Sequence, residues 1–202
     1  MFGRLIAVLV MAIAISACAP SEALNRDSAI PSARKPVPAL RWASRPEGDA
    51  WTRAALTAID THGQALLDVE PRDIATYCPA YPEASTADRR AFWAGLISSL
   101  AKHESTWRPE AVGGDGRWFG LVQIAPATAR GYGCGAKSGE ALKNGSANVR
   151  CAVRIMAHTV PRDGVISAGG RGVAADWGPF HSTRKRTDIA AWTKTQPFCQ
   201  PG

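Results

Sequence analysis

Lys102-His103-Glu104-Ser105-Thr106-Trp107-Arg108-Pro109 and, just downstream, Phe119-Gly120-Leu121-Val122-Gln123-Ile124 decide how this chain reads. Ahead of the first segment, Phe92, Trp93, Leu96, Ile97, Leu100 and Ala101 recur at helical spacing, and Ser85 with Asp88 forms a capping signal that opens the helix. Glu104 is the next position on that apolar face, where a glutamate of no special duty is not expected. At a helix C-terminus the backbone carbonyls disfavour a carboxylate, and burial beside Trp107, Trp118 or Phe119 adds to the effect. Both raise the pKa, the property a general acid working near neutral pH requires. A buried glutamate can equally be a hydrogen-bonded core residue, so the physical reading leaves both roles open.

Around this helix the chain is mainly α. Asp49 is placed to cap a helix through Trp51, Ala54, Ala55, Ala58 and Ile59, ending near Gly63 or Leu67. Pro71, Pro79 and Pro82 punctuate an irregular stretch, a short helix follows Pro126, and a longer one is expected over Asn148–Thr159. A Gly-rich loop over 164–172 leads to Ala174-Ala175-Asp176-Trp177-Gly178-Pro179-Phe180 and a last helix over Thr183–Lys194. No alternating strand pattern exceeds four residues. Trp42, Trp51, Trp93 and Trp192 read as packing residues, whereas Trp107, Trp118 and Trp177 flank the motifs and are the better groove candidates.

The N-terminus carries export information. Arg4 precedes an apolar run, Leu5–Ile15, that is too short to span a bilayer comfortably, and Ile15-Ser16-Ala17-Cys18 resembles a bacterial lipobox. On that reading residues 1–17 are a lipoprotein signal peptide and Cys18 is the lipidation site. Ordinary signal cleavage after Ala19 is the alternative, and both imply an exported, periplasmic protein. The Ala19 after Cys18 favours sorting of a lipid-anchored form to the outer membrane. Residues 18–48, rich in Pro, Ser and Arg, read as a disordered tether, and 49–202 as one compact domain.

The remaining cysteines, Cys78, Cys134, Cys151 and Cys199, are even in number in an exported chain, so disulfides are expected in one of three connectivities. The preferred set is Cys134–Cys151, closing a local loop, with Cys78–Cys199 tying the tail to the front of the domain. No C-x-x-C occurs, and Trp107 stands where H-E-x-x-H needs its second histidine, so no metal site and no cofactor are implied. The formal charge is +7, from 24 Lys and Arg against 17 Asp and Glu. The basic residues are scattered apart from Arg184-Lys185-Arg186, which reads as a solvated helix start, so no nucleic-acid partner is expected.

Glu104-Ser105-x-Trp107-x-Pro109-x-Ala111, followed by Gly120-Leu121-Val122-Gln123-Ile124-x-Pro126-x-Thr128-Ala129, resembles the two signature motifs of the soluble lytic transglycosylase family, which shares its lysozyme-like fold with goose-type lysozymes. Val122 stands where methionine is usual. The resemblance implies a mainly α, lysozyme-like single domain whose groove takes peptidoglycan glycan strands. Glu104 is then the catalytic acid and base that cleaves the bond between N-acetylmuramic acid and N-acetylglucosamine, giving a 1,6-anhydro product. It further implies substrate-binding roles for Ser105, Gly120, Gln123, Asn148 and Trp177. The family's Ala-Tyr-Asn-Ala-Gly-Pro motif places its tyrosine, a partner of the catalytic glutamate, at Ala175 or Asp176, so the tyrosine is missing and Asp176 is a candidate in its place. Asp115 sits comparably to a goose-type acidic residue that holds water; its plain reading is a turn aspartate. The alternatives to a transglycosylase are therefore a lysozyme-type hydrolase and an inactive wall-binding or secretion-scaffold protein. Secretion or cell-division machinery are candidate partners.

Overall fold

A computed structural model describes residues 2–3 and 37–200 of the chain. The signal segment beyond Gly3, Cys18 and the tether up to residue 36 lie outside the described residues. The elements are α1 (Gly48–His62), α2 (Ala65–Asp68), α3 (Ile74–Tyr77), α4 (Thr86–Glu104), β1 (Val112–Gly113), β2 (Trp118–Phe119), α5 (Pro126–Gly131), α6 (Gly139–Leu142), α7 (Gly145–Asp163) and α8 (Thr183–Lys194). Short 3-10 turns at Ala168–Gly170, Gly172–Ala175 and Gly178–Phe180 fill the connection from α7 to α8. The class is mainly α, with one two-stranded antiparallel hairpin pairing Val112 with Phe119 and Gly113 with Trp118. Among the described residues no helix is long and apolar enough to cross a membrane.

α4 is the axis of the domain. Ser85 caps it as expected, its Oγ accepting the Asp88 N–H at 3.1 Å. Every residue from Ala91 to Ala101 is buried, so the helix is enclosed on all sides rather than amphipathic. It packs against α1, α2 and α8, while α1 lies along α7. The apolar-face argument for Glu104 is corrected accordingly: what sets this residue apart is that it ends a helix running through the middle of the core. Inside, Trp93 Nε1 donates to the Leu66 carbonyl (2.8 Å) and to the Tyr81 hydroxyl (2.9 Å), so this fully buried indole leaves no polar atom unpaired.

Three boundaries differ from the sequence reading. The domain begins before Asp49: Leu40 and Trp42 are core residues, Trp42 Nε1 donates to Thr52 Oγ1 (2.8 Å), and its ring meets Trp51 edge-on. A Pro-rich composition concealed two apolar anchors at the end of the expected tether. Asp49 is not a cap but lies in the first turn of α1, after Glu47. α7 starts at Gly145, because Asn144 takes the capping role by accepting the Ala147 N–H (2.9 Å), and it runs on to a left-handed Gly164. Both expected disulfides are present, Cys78–Cys199 and Cys134–Cys151.

The segment ahead of α1 can be tested directly. Trp42→Ala should lower unfolding free energy by about 3–5 kcal/mol, the usual cost of emptying a fully buried tryptophan site, measured by urea denaturation. A loss below about 1 kcal/mol would place Trp42 outside the cooperative core.

Candidate active site

Glu104 ends α4 at the wall of an open groove of about 570 Å³. Gly113, Gly114 and Trp118 of the hairpin, Gln123, the stretch from Asp176 to Pro179, and Lys185 of α8 line the rest. Beyond Asp176 and Trp177 the groove continues into a small recess between Ile124, Thr128 and Ile155. A second hollow, lined by Gln64, Asp68, Thr86 and Arg89, is slightly larger at about 660 Å³. Its cation is already committed, since Arg89 donates to the Leu67 and Pro82 carbonyls.

Burial pushes the Glu104 carboxyl up to about 7, while the Lys185 ammonium pulls it partly back down. A carboxyl titrating there is populated in both forms at neutral pH, as a residue serving as acid and then base requires. The turn that follows is fixed from two sides. Ser105 Oγ donates to the Leu121 carbonyl (2.8 Å) and accepts the Arg108 N–H (3.1 Å), and Trp107 Nε1 donates back to the Ser98 carbonyl (2.9 Å). On the other side, Lys102 and His103 both reach Asp188 of α8, at 3.1 and 2.7 Å.

Backbone strain concentrates here. The described non-glycine residues with positive φ are Thr106 (54°), Trp107 (56°), Asp115 (54°) and Gln123 (50°), all between the end of α4 and the strand-return segment. Left-handed backbone costs about 1–2 kcal/mol per non-glycine residue, and a β-branched threonine is among the least suited to it. Such strain persists only where its surroundings over-determine it, which makes this segment a candidate for function.

The sequence-nominated residues divide into two groups. Glu104, Gln123, Asp176 and Trp177 share the groove. Gln123 Nε2 is spent on the carbonyls of Gly120 (2.9 Å) and Ala111 (3.2 Å), so the amide presents only its Oε1 as an acceptor; a Cβ at Gly113 would come within 2.3 Å of that oxygen. Trp177 is nearly covered, with Nε1 donating to the Val122 carbonyl (2.8 Å). Asp176 accepts the Tyr132 hydroxyl at 3.3 Å, and burial raises its pKa. A tyrosine therefore does reach the groove's acids, but it comes from the end of α5 and meets Asp176 rather than Glu104.

Ser105, Gly120, Asn148 and Asp115 do not line the groove. Ser105 is buried and bonded as described. Asn148 is fully buried: Nδ2 donates to the Phe119 (2.9 Å) and Leu142 (3.0 Å) carbonyls, and Oδ1 accepts the Val122 N–H (3.0 Å). Gly120, at φ 84°, lies against this amide, where a Cβ would fall 2.3 Å from Asn148 Nδ2 and 2.2 Å from the Leu142 carbonyl oxygen. Ser105, Gly120 and Asn148 thus brace the wall that carries Gln123 and do not themselves line the groove. Asp115 is exposed on the hairpin turn, next to the groove-lining Gly114.

Sequence reasoning missed Lys185 and Tyr132. Lys185 was hidden inside a basic triplet, and the available signal was Asp188 one helical turn on, which anchors α8 to the turn before Glu104. Trp118, 42% exposed with the Arg117 guanidinium 4.8 Å from its ring centre, offers a flat apolar platform at the groove edge.

Two outcomes follow for stability. The folded pKa of Glu104 lies above its ordinary value of 4.5, so its contribution to stability is fully present below about 4.5 and is lost as pH rises through about 7. Glu104→Gln should be more stable than wild type by roughly 1–3 kcal/mol at pH 8, with the gap closing toward pH 4, in thermal or urea unfolding. Asn148→Leu leaves the Val122 N–H and the Leu142 carbonyl unpaired and should cost about 2–4 kcal/mol, with groove mobility visible as faster amide exchange at Val122.

Comparison with known proteins agrees with this geometry. The Transglycosylase SLT domain family matches residues 82–166, from just ahead of α4 to the end of α7. Among curated proteins none matches the chain. Among solved structures, a Glu-to-Gln mutant of Bd0314 DslA is 30% identical with a TM-score of 0.72, covering 83% of this chain and 100% of its own. The wild-type form (30%, TM-score 0.70, 80% and 97% covered) and a second Glu-to-Gln mutant (30%, TM-score 0.70, 83% and 100% covered) are similar to it in the same way. With its motifs, its central buried helix and a structural relative, DslA, matched over that relative's whole length, the chain belongs to the Transglycosylase SLT domain family.

Proposed function

We propose that this protein cleaves the β-1,4 bond between N-acetylmuramic acid and N-acetylglucosamine in peptidoglycan without consuming water, with Glu104 as its acid and base. The observation that carries this reading is one half-buried carboxyl, pushed up to about 7 by loss of hydration, at the wall of the groove of an SLT domain. The protonated Glu104 donates to the glycosidic oxygen as the C1–O bond breaks, and the electron pair leaves with the N-acetylglucosamine O4. The muramoyl C6 hydroxyl then adds to C1 while Glu104, now a carboxylate, takes its proton. The cycle ends with Glu104 protonated again and a 1,6-anhydro sugar. Gln123 Oε1 is suited to accept an acetamido N–H, and Trp118 to stack on a sugar ring.

Hydrolysis is a second reading favoured by one specific observation. The two DslA mutants carry their Glu-to-Gln changes eleven positions apart. Glu104 and Asp115 have that same separation here, with Asp115 on the hairpin turn beside the groove. On this reading Asp115 orients a water that takes the place of the C6 hydroxyl. For either product we place the enzyme outside the cytoplasm, held to a membrane through Cys18.

Glu104→Gln should abolish clearing of peptidoglycan while leaving binding to the insoluble wall intact, and undiminished clearing by the mutant would sink the mechanism. Because only the protonated free enzyme begins the cycle, kcat/KM should fall about tenfold per pH unit above about pH 7. Mass spectrometry of released muropeptides separates the readings, since the anhydro product is lighter by one water. If water is used, Asp115→Asn should suppress the hydrated product selectively.

A further inference from the structure

Lys185 is the one basic residue among those lining the groove. It stands in the first turn of α8, whose N-cap Ser182 accepts its backbone N–H. Its flanking cations are directed elsewhere: Arg184 is exposed, and Arg186 donates to the Phe180 carbonyl (2.8 Å) and lines a separate hollow with Thr76 and Ala190. Among the described residues, no carboxylate oxygen lies within ion-pair distance of the Lys185 ammonium. The acid one turn along its own helix is already saturated. Asp188 takes both guanidinium nitrogens of Arg41 (2.7 and 3.0 Å), the Lys102 ammonium and the His103 imidazole. The groove's other acid, Asp176, accepts from Tyr132. Glu104 is the only groove acid that feels Lys185, and it does so through space rather than through a hydrogen bond.

We propose that Lys185 binds a carboxylate on the muramoyl side of the substrate, making it a specificity residue for anionic glycan strands. This rests on the peptidoglycan reading above. A cation placed in a substrate groove without a protein partner is complemented by a substrate anion, and N-acetylmuramic acid differs from N-acetylglucosamine by a lactyl ether that ends in a carboxyl group. Two sources share this chemistry. In strands stripped of peptide the lactyl carboxylate is free, and an amide hydrolase must then act first to release it. In intact strands the lactyl group is an amide and the anion comes from the stem peptide.

The test is equilibrium binding in a Glu104→Gln background, where the influence of Lys185 on the acid is removed. Glu104→Gln and Glu104→Gln/Lys185→Met are titrated with three strands: stripped strands, the same strands with lactyl carboxylates converted to neutral methylamides, and strands with intact stems. Loss of Lys185 should weaken binding about tenfold, the scale of one charge-assisted contact in an open groove, on at least one anionic strand and by less than about twofold on the methylamide. Lys185→Arg in the same background should restore most of it. Loss on stripped strands alone assigns the lactyl carboxylate, and loss on stem-bearing strands alone assigns the peptide. Equal loss on all three strands, or none on any, overturns the proposal. Cleavage of the same strands by the wild-type protein is followed separately. Its absence would overturn the enzymatic reading, while the binding comparison still decides the role of Lys185.

Discussion

The end of α4 is the constraint from which the rest of the site follows. A helix enclosed from Ala91 to Ala101 delivers its last residue from the driest part of the domain to a surface groove, so Glu104 arrives with much of its hydration already removed. Ionisation is disfavoured there without any neighbouring negative charge having to do the work. Among the described residues, what opposes this effect is the Lys185 ammonium. A core built around one long helix thus does two things at once: it stabilises the fold and it sets the acidity of the residue at its tip.

An acid in that position is useful only if its direction is fixed, and the domain fixes it with polar contacts rather than with more apolar packing. Ser105 and Trp107 fasten the turn after Glu104 to Leu121 and Ser98, and Asp188 fastens the turn before it to α8. Asn148 then ties the facing wall to α7 through three bonds of its amide, in a space left open because residue 120 has no Cβ. Left-handed Thr106, Trp107 and Gln123 are the price of bringing these two walls together. Buried polar groups with every bond made specify a single arrangement more sharply than aliphatic contacts do.

Much of this was legible in the chain because the signals were local. Ser85 with Asp88, the spacing from Phe92 to Ala101 and the punctuation around Pro126 each act within a turn or two, and they located the helices. Family motifs nominated Glu104 and Gln123, which face the groove, but the same motifs nominated Ser105, Gly120 and Asn148, which do not. A motif records which residues are needed, not whether they meet substrate or support the residue that does. What stayed hidden was long-range. Asp188 lies 85 residues from His103 and 147 from Arg41, and Tyr132 lies 44 from Asp176. No periodicity encodes such pairs. The boundary at Asp49 failed for the opposite reason: composition averaged over a Pro-rich stretch obscured Leu40 and Trp42, two residues whose burial alone makes the segment part of the core.

Asp188 also links the start of the domain to its chemistry. Its carboxyl is held well below the usual carboxylate range, first by Arg41 and then by His103 and Lys102, so it is a full negative charge across the neutral range and holds the Arg41 and Lys102 cations together with the His103 imidazole, whose own pKa burial lowers. Arg41 belongs to the segment through which the N-terminal part of the chain enters the domain, and Lys102 and His103 immediately precede Glu104. One carboxylate therefore stands between that segment and the turn that presents Glu104, on the helix that carries Lys185. Removing Arg41 would leave Asp188 with the Lys102 ammonium and the His103 imidazole of α4, and with less to hold α8 and the end of α4 in register. The residues least expected to matter, at the edge of a Pro-rich stretch, are by this arrangement among those that set where the groove's acid and its cation stand.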